Sequence, residues 1–377
     1  MIVETHTSCL PVVIAVPALN EEDRVVRTLR ALEAEARSYG GPATIAVLAN
    51  NCTDRTVPLV AQFAATARVP VAFDHVKLPP EKANAGHARA LAFELALRHA
   101  HHVQTVLVTT DADSRPHPGW LQAINAGIQG GADAVAGAIA FEPSEAWRAP
   151  VSPARRLEAR YAALQAELAA LCDPQPHNPW PNHIWAWGAN LAVTKAAYEL
   201  AGGIPTVPLA EDRAFAEALK RRDCRVKHCV RSRVWTSART QGRARGGLAD
   251  LIGIYRTNDE YPCDAELESA GAIVLRAESR KRFREFYRMK QACAELASRL
   301  AIPAATLREA LDQPFCGEGW SWLERQSPML SRRRLFPAHL EEECRQAERM
   351  IHQRTGAALA EEQDGLWTTF QPAATAA

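Results

Sequence analysis

The chain has no stretch able to cross a membrane. Nowhere in its 377 residues does an apolar run approach the roughly 18–20 residues a spanning helix needs. It also lacks a dominant charge: 44 Lys and Arg stand against 43 Asp and Glu, so no global field recruits nucleic acid or an anionic bilayer. Cys-x-x-Cys pairs are missing. The nine cysteines are scattered from Cys9 to Cys344, an odd set that reads as reduced thiols in a cytoplasmic protein. Cys224, His228 and Cys229 lie close together but their spacing offers no fourth ligand for zinc, so they read as structural. No internal repeat is present. A secretory leader is not expected either: residues 10–19 are apolar, but Glu4 stands where a basic segment should be, and Asn20-Glu-Glu-Asp23 follows at once. The expected location is the cytoplasm, with peripheral contact at the inner face of a membrane left open.

What is present is an ordinary globular composition, 47% hydrophobic and 23% charged, long enough for two domains. Val12 to Val16 is a continuous apolar run, as in strands buried on both faces, and Pro17 is expected to close it. Asn20 stands at an expected N-cap, with Glu21, Glu22 and Asp23 in the first turn of a helix running to about Arg37. Thr44–Ala49 predicts a second strand, with Thr53 or Asp54 capping a second helix. A third strand is expected near Val69–Phe73, a helix over Glu81–Ala100 and a strand over Val103–Thr110. Alternating strands and helices of this kind predict a doubly wound, mostly parallel sheet.

The strand ending at Thr110 runs into Asp111 and Asp113, and Pro116 and Pro118 forbid its continuation. In extended backbone residues i and i+2 face the same side, so both carboxylates can converge beyond the strand. Oxygen ligands in that place suit Mg²⁺ or Mn²⁺ carrying a phosphorylated substrate. A polar turn would also explain them. Two further polar clusters, Asn20–Asp23 and Asn50–Asp54, fall at carboxyl ends of strands, where such sheets bind ligands.

Further on, helices are expected near Trp120–Gln129 and Ala154–Leu171, with a strand over Asp133–Phe141 between them. Four prolines then alternate with His177, His183, Trp180, Trp185 and Trp187, which reads as a packed loop or an acceptor-binding wall. Gly188-Ala-Asn190 and a short helix from Lys195 follow. Glu211 and Asp212 open another helix, where capping alone would explain them. The Arg- and Gly-rich stretch from Thr236 to Gly247 reads as a flexible loop able to hold phosphate through Arg239, Arg243 and Arg245. Beyond about Leu248 the strand pattern stops. Helices are expected over Ser269–Leu300, Ala304–Leu311 and Glu341–Arg354, with residues 362–377 frayed.

These motifs, in this order, resemble glycosyltransferase family 2, whose members have the GT-A fold and use nucleotide-diphosphate sugars with inversion. Val13–Glu22 resembles the family's opening strand and nucleotide-contacting turn, and Asn50–Thr56 its second cluster. Lys82–Ala90 resembles the segment near base and phosphates, Asp111-Ala-Asp113 the metal-binding Asp-x-Asp. Gly188-Ala-Asn190 and Glu211-Asp212 resemble the later acceptor-side motifs. Asn50 replaces a frequent aspartate, and no clean Gln-x-x-Arg-Trp is present. With no membrane helices, that departure argues against a processive polysaccharide synthase.

The resemblance implies a GT-A domain over residues 1–250, with a helical region over 251–377 that has no named counterpart. It implies donor-side roles for Pro17, Asn20, Glu21, Asn50, Asp54, Lys82, Arg89 and Asp111, with Arg239 and Arg243 on the phosphates. Asp113 would ligate the cation, and Asp111 the cation or ribose. Trp185, Trp187, Gly188 and Asn190 fall on the acceptor side, facing a small molecule, lipid or glycan. The resemblance also tips the choice of general base to Asp212, with Glu211 orienting it or the acceptor. A nucleotidyltransferase would use the same metal site, but it usually carries a basic, Gly-rich first loop where this chain has Asn20–Asp23. A non-catalytic nucleotide-sugar sensor is the remaining alternative.

Overall fold

A computed structural model describes residues 9–148, 152–243, 246–291 and 293–356. The elements are β1 (Val12–Ala18), α1 (Val25–Tyr39), β2 (Ala43–Asn50), α2 (Thr56–Thr66), β3 (Val71–Val76), α3 (Ala85–Arg98) and β4 (Val106–Thr109). Next come β5 (Arg115–Pro116), α4 (Trp120–Gln129), β6 (Ala134–Phe141), α5 (Pro153–Cys172), β7 (Leu191–Thr194), α6 (Lys195–Ala201), α7 (Glu211–Arg221) and β8 (Val226–Thr236). The remainder is helical: α8 (Leu248–Thr257), α9 (Ala270–Met289), α10 (Ala294–Arg299), α11 (Ala304–Leu311), α12 (Cys316–Gln326) and α13 (Leu340–Thr355).

The strands form one eight-stranded sheet in the order β3-β2-β1-β4-β7-β6-β8-β5. β3, β2, β1 and β4 are parallel, β7 runs against both β4 and β6, β8 is parallel to β6, and β5 runs against β8. The apolar runs work as expected from two-residue periodicity. Val12, Ile14 and Val16 join Ile45, Val47, Val106 and Val108 in one core, packed with Leu29, Leu32, Trp120 and Leu121. The alternate residues Val13, Ala15, Ala46, Leu48 and Leu107 enter a second core with Phe93, Tyr198, Phe215 and Leu219. Helices therefore cover both faces of the sheet, and the loops at the carboxyl ends of β1, β2 and β4 are left for a ligand.

The helical region adds two further cores, the first shared with α5. One gathers Tyr161 and Leu168 of α5 with Ile273 and Ala277 of α9 and Leu340 and Ala347 of α13. The other gathers Phe283, Leu296, Leu307, Trp320 and Leu323. No helix among the described residues is long and apolar enough to cross a membrane.

Several local expectations are corrected. β1 continues through Pro17 to Ala18, because its ladder with β4 has ended at Ala15 and only β2 flanks the proline. Asn20 is no N-cap: α1 begins at Val25 after Arg24, and Asn20 has left-handed backbone, φ 53°. α3 starts at Ala85, with the side chain of Asn84 accepting from the His87 amide. Residues 269–300 form two helices, since Lys290 takes a left-handed conformation that ends α9. The strands β7 and β8 and the helices α8 and α12 are additions, as is β5, a two-residue strand that includes Pro116 at the sheet edge. The frayed tail lies outside the described residues.

Candidate active site

The loops after β1 and β2 brace each other. Asn20 Oδ1 accepts the Thr53 amide at 2.7 Å, and Asp54 accepts the amides of Glu22 at 3.1 Å and Thr56 at 2.9 Å. Glu22 returns the contact by accepting the Arg55 amide at 3.1 Å. Burial pushes the Asp54 carboxyl up, but the hydrogen bonds from Thr56 and Glu22 outweigh it and hold it below the usual range. The polar groups of Asn20 and Asp54 are thus spent on shaping a double loop. Of the other donor-side candidates, Asn50 ends β2 as a buried residue. Pro17 is half-buried in β1, and Lys82 is exposed in the single turn Pro80–Lys82.

Glu21 is buried at this double loop, its amide donating to Thr56 Oγ1 at 2.7 Å. Its carboxylate receives Arg239 from the loop after β8 through two hydrogen bonds, 2.6 and 3.0 Å. The same guanidinium lies 3.0 Å from Asp113, and Arg243 donates to the Asn20 carbonyl at 3.0 Å. Glu145 anchors the root of that loop by accepting Ser237 Oγ at 2.8 Å and the Ala238 amide at 3.2 Å. Arg245 lies outside the described residues.

The Asp113 side chain is 10% exposed and that of Asp111 37%. Burial pushes Asp113 up to about 7, with Arg239 opposing the shift and Asp111 and Glu21 adding to it. Two carboxylates that repel each other at a strand end form a hard-oxygen donor set, the chemistry a Mg²⁺ or Mn²⁺ site requires. Among the described residues no cluster of three candidate ligands forms. The remaining coordination positions would come from the ligand's phosphates and water. Asp111 and Asp113 have the chemistry to hold such a cation, and Arg239 lies 3.0 Å from Asp113.

Arg89, read from the sequence as a donor contact, is an interior bridge. Fully surrounded, it donates from Nε to Glu211 at 2.9 Å, from Nη1 to Thr109 Oγ1 and the Gly188 carbonyl at 2.9 Å each, and from Nη2 to Asp111 at 2.9 Å. Asp212 Oδ2 accepts the Gly188 amide at 2.8 Å, and Oδ1 accepts the Arg213 amide at 2.8 Å. Burial and the neighbouring Glu211 raise the Asp212 carboxyl, while the Gly188 amide and Arg89 lower it. Ala210, at φ 58°, turns the chain into α7 so that Glu211 enters the interior.

The acceptor-side candidates divide. Trp185 and Trp187 have ring centres 5.9 Å apart; Trp187 packs on the sheet core and Trp185 on the core of the helical region. Asn190 is buried, with Nδ2 donating to the carbonyls of Ala138 and Ser232 at 2.8 and 2.9 Å. Its Oδ1 accepts Trp120 Nε1 at 2.8 Å and Ser232 Oγ at 3.1 Å. All its capacity is used inside the protein, so it fixes the Gly188 loop from beneath. Sequence reasoning missed Thr109, Glu145 and the Arg213–Asp264 pair at 2.6 Å. They are single polar residues with no spacing signal.

One site thus gathers an Asp-x-Asp at a strand end of a doubly wound sheet and an acidic pair beside it across a buried arginine. Residues 13–174, less than half of the chain, match the family model described as Glycosyl transferase family 2. No curated protein matches the chain in sequence. Among solved structures it is similar to the mannosyltransferase PcManGT from Pyrobaculum calidifontis in complex with GDP-Man and Mn2+. The identity is 18% over 84% of this chain and 86% of that one, with a TM-score of 0.44. It is also similar to S. aureus TarS 1-349, at 15% identity over 83% and 89% of the two chains with a TM-score of 0.39. The same TarS fragment in complex with UDP aligns at 14% identity over 83% and 89%, with a TM-score of 0.42.

Proposed function

We propose that the protein transfers a sugar, with inversion, from a nucleotide-diphosphate sugar to an acceptor hydroxyl, with a divalent cation at Asp111 and Asp113 and with Asp212 as general base. The Arg89 bridge carries this reading. One guanidinium touches Asp111 on one side and Glu211, next to Asp212, on the other. An in-line displacement needs these two functions at one site, with the leaving diphosphate and the base on opposite sides of the reacting carbon.

Asp111 and Asp113 would hold Mg²⁺ or Mn²⁺, which supplies charge neutralisation for the leaving diphosphate. Arg239 and Arg243 can turn from Glu21, Asp113 and Asn20 towards the donor's phosphates, where a guanidinium binds two oxygens at once. Burial and Glu211 raise the Asp212 carboxyl above its ordinary value, which suits a proton acceptor, and the Gly188 amide aims it. Trp185 and Trp187 offer indole faces on which an acceptor's apolar side can stack. The acceptor is a small molecule, a lipid or a glycan.

A thermal-shift screen of UDP-, GDP- and dTDP-sugars with and without Mn²⁺ tests this reading, because a ligand that binds only the folded state raises its stability. At least one donor should stabilise the wild type in a Mn²⁺-dependent way, and Asp113→Asn should abolish that dependence while remaining folded. Stabilisation by no nucleotide sugar, or an unchanged metal dependence in Asp113→Asn, contradicts the proposal.

A further inference from the structure

We propose that Arg89 is a positioning residue for the transfer step: it cancels the charge of Glu211 and, through Gly188, holds the Asp212 carboxylate in place as a proton acceptor. This rests on the reading of Asp212 as base. A guanidinium removed from water is costly unless its donors are matched, and Arg89 makes four hydrogen bonds, to two carboxylates, a hydroxyl and a carbonyl. Its role is therefore internal, and its consequences fall on the groups it touches.

Gly188 is the mechanical link. Its carbonyl accepts from Arg89 Nη1 at 2.9 Å, while its amide donates to Asp212 Oδ2 at 2.8 Å. The direction of the Arg89 bond thus sets the tilt of the peptide that holds Asp212. Glu211 is the electrostatic link. It is buried, adjacent to Asp212, and paired with Arg89 Nε at 2.9 Å. Without the guanidinium, Glu211 and Asp212 would be two neighbouring buried carboxylates, and one of them would keep its proton.

The other charges facing Asp212 do not replace Arg89. Arg213 on the same helix is held by Asp264 at 2.6 Å. The Arg222–Glu318 pair, between the end of α7 and α12, lies at the opposite end of α7. α6 and β8 share an apolar cluster with α7 through Tyr198, Val226, Phe215 and Leu219.

The test follows the Asp212 carboxyl directly. In full-length protein labelled with ¹³C at aspartate Cγ, the Asp212 signal is assigned by its loss in Asp212→Asn and titrated from roughly pH 4 to 9. Arg89→Gln should move the Asp212 midpoint up by about one pH unit or more. Glu211→Gln, which leaves Arg89 unopposed, should move it down, and Arg89→Lys, which keeps the charge, should leave it between wild type and Arg89→Gln. A purely structural arginine would leave the midpoint unmoved in Arg89→Lys, which cannot keep the bonds to both Gly188 and Glu211, and that result overturns the proposal even where Arg89→Gln does not fold. The base assignment fails separately: wild-type turnover of donor in Asp212→Asn removes it, whatever the titration shows.

Discussion

Arg239 lays its guanidinium across Glu21, 218 residues away in the chain, and rests 3.0 Å from Asp113. The loop after β8 is thereby latched onto the carboxyl ends of β1 and β4 by a charge that a bound diphosphate would compete for. Arg239→Met should weaken donor binding about tenfold or more, the scale of a lost charge-assisted pair of hydrogen bonds. Calorimetric titration of the donor found by screening reads this. Unchanged affinity would leave Arg239 as a latch with no part in phosphate binding.

Asn190 should behave as a structural residue. Its amide joins β6, β8 and Trp120 through four hydrogen bonds. Asn190→Ala leaves those partners buried and unmatched, and should lower stability by about 2–3 kcal/mol in urea unfolding. Any loss of activity should be recovered at lower temperature. Full stability together with impaired acceptor use would return Asn190 to the acceptor side.

Much of the catalytic half of the fold is legible in the sequence, because strands buried on both faces are spelled as unbroken apolar runs. β1, β2 and β6 fall where Val12–Val16, Thr44–Ala49 and Asp133–Phe141 predict them. β8 escapes because Lys227, Arg231 and Arg233 interrupt it, and it alternates between buried and partly exposed positions. α12 escapes because Gly317 and Gly319 argue against a helix. Both are there for close approach: a Cβ at Gly317 would lie 1.9 Å from the Lys220 carbonyl, and one at Gly319 2.2 Å from the Ala310 carbonyl. The candidate site is half legible. Asp-x-Asp and Glu211-Asp212 announce themselves, whereas nothing in the pattern around Arg89 says that it turns inward between them.

Two histidines give the protein an acid-sensitive stability. His183 and His228 are buried with ring centres 5.3 Å apart, beneath the Trp185 segment. Burial drives His183 down to about 4 and His228 well below its ordinary value. The unfolded chain takes up these protons near pH 6.5, whereas the folded chain protonates His183 only near pH 4 and His228 well below its ordinary value, so stability should fall as pH drops below about 6.5. At pH 5 the loss from His183 alone is roughly 2 kcal/mol. Urea midpoints of wild type and His183→Phe at pH 7.5 and 5 measure it. The variant should lose less than the wild type on acidification, and equal losses would count against the pair as the cause.

The base assignment is tested by comparing the wild type with Asp212→Asn on the donor identified by screening, measuring donor affinity by calorimetry and release of nucleoside diphosphate over time. Asparagine keeps the size of the side chain and an oxygen for the Gly188 amide. Donor affinity should therefore stay within about twofold, while turnover falls by roughly 10²- to 10⁴-fold, the usual contribution of a general base. Near-wild-type turnover in Asp212→Asn, with a large loss in Glu211→Gln instead, would contradict the account.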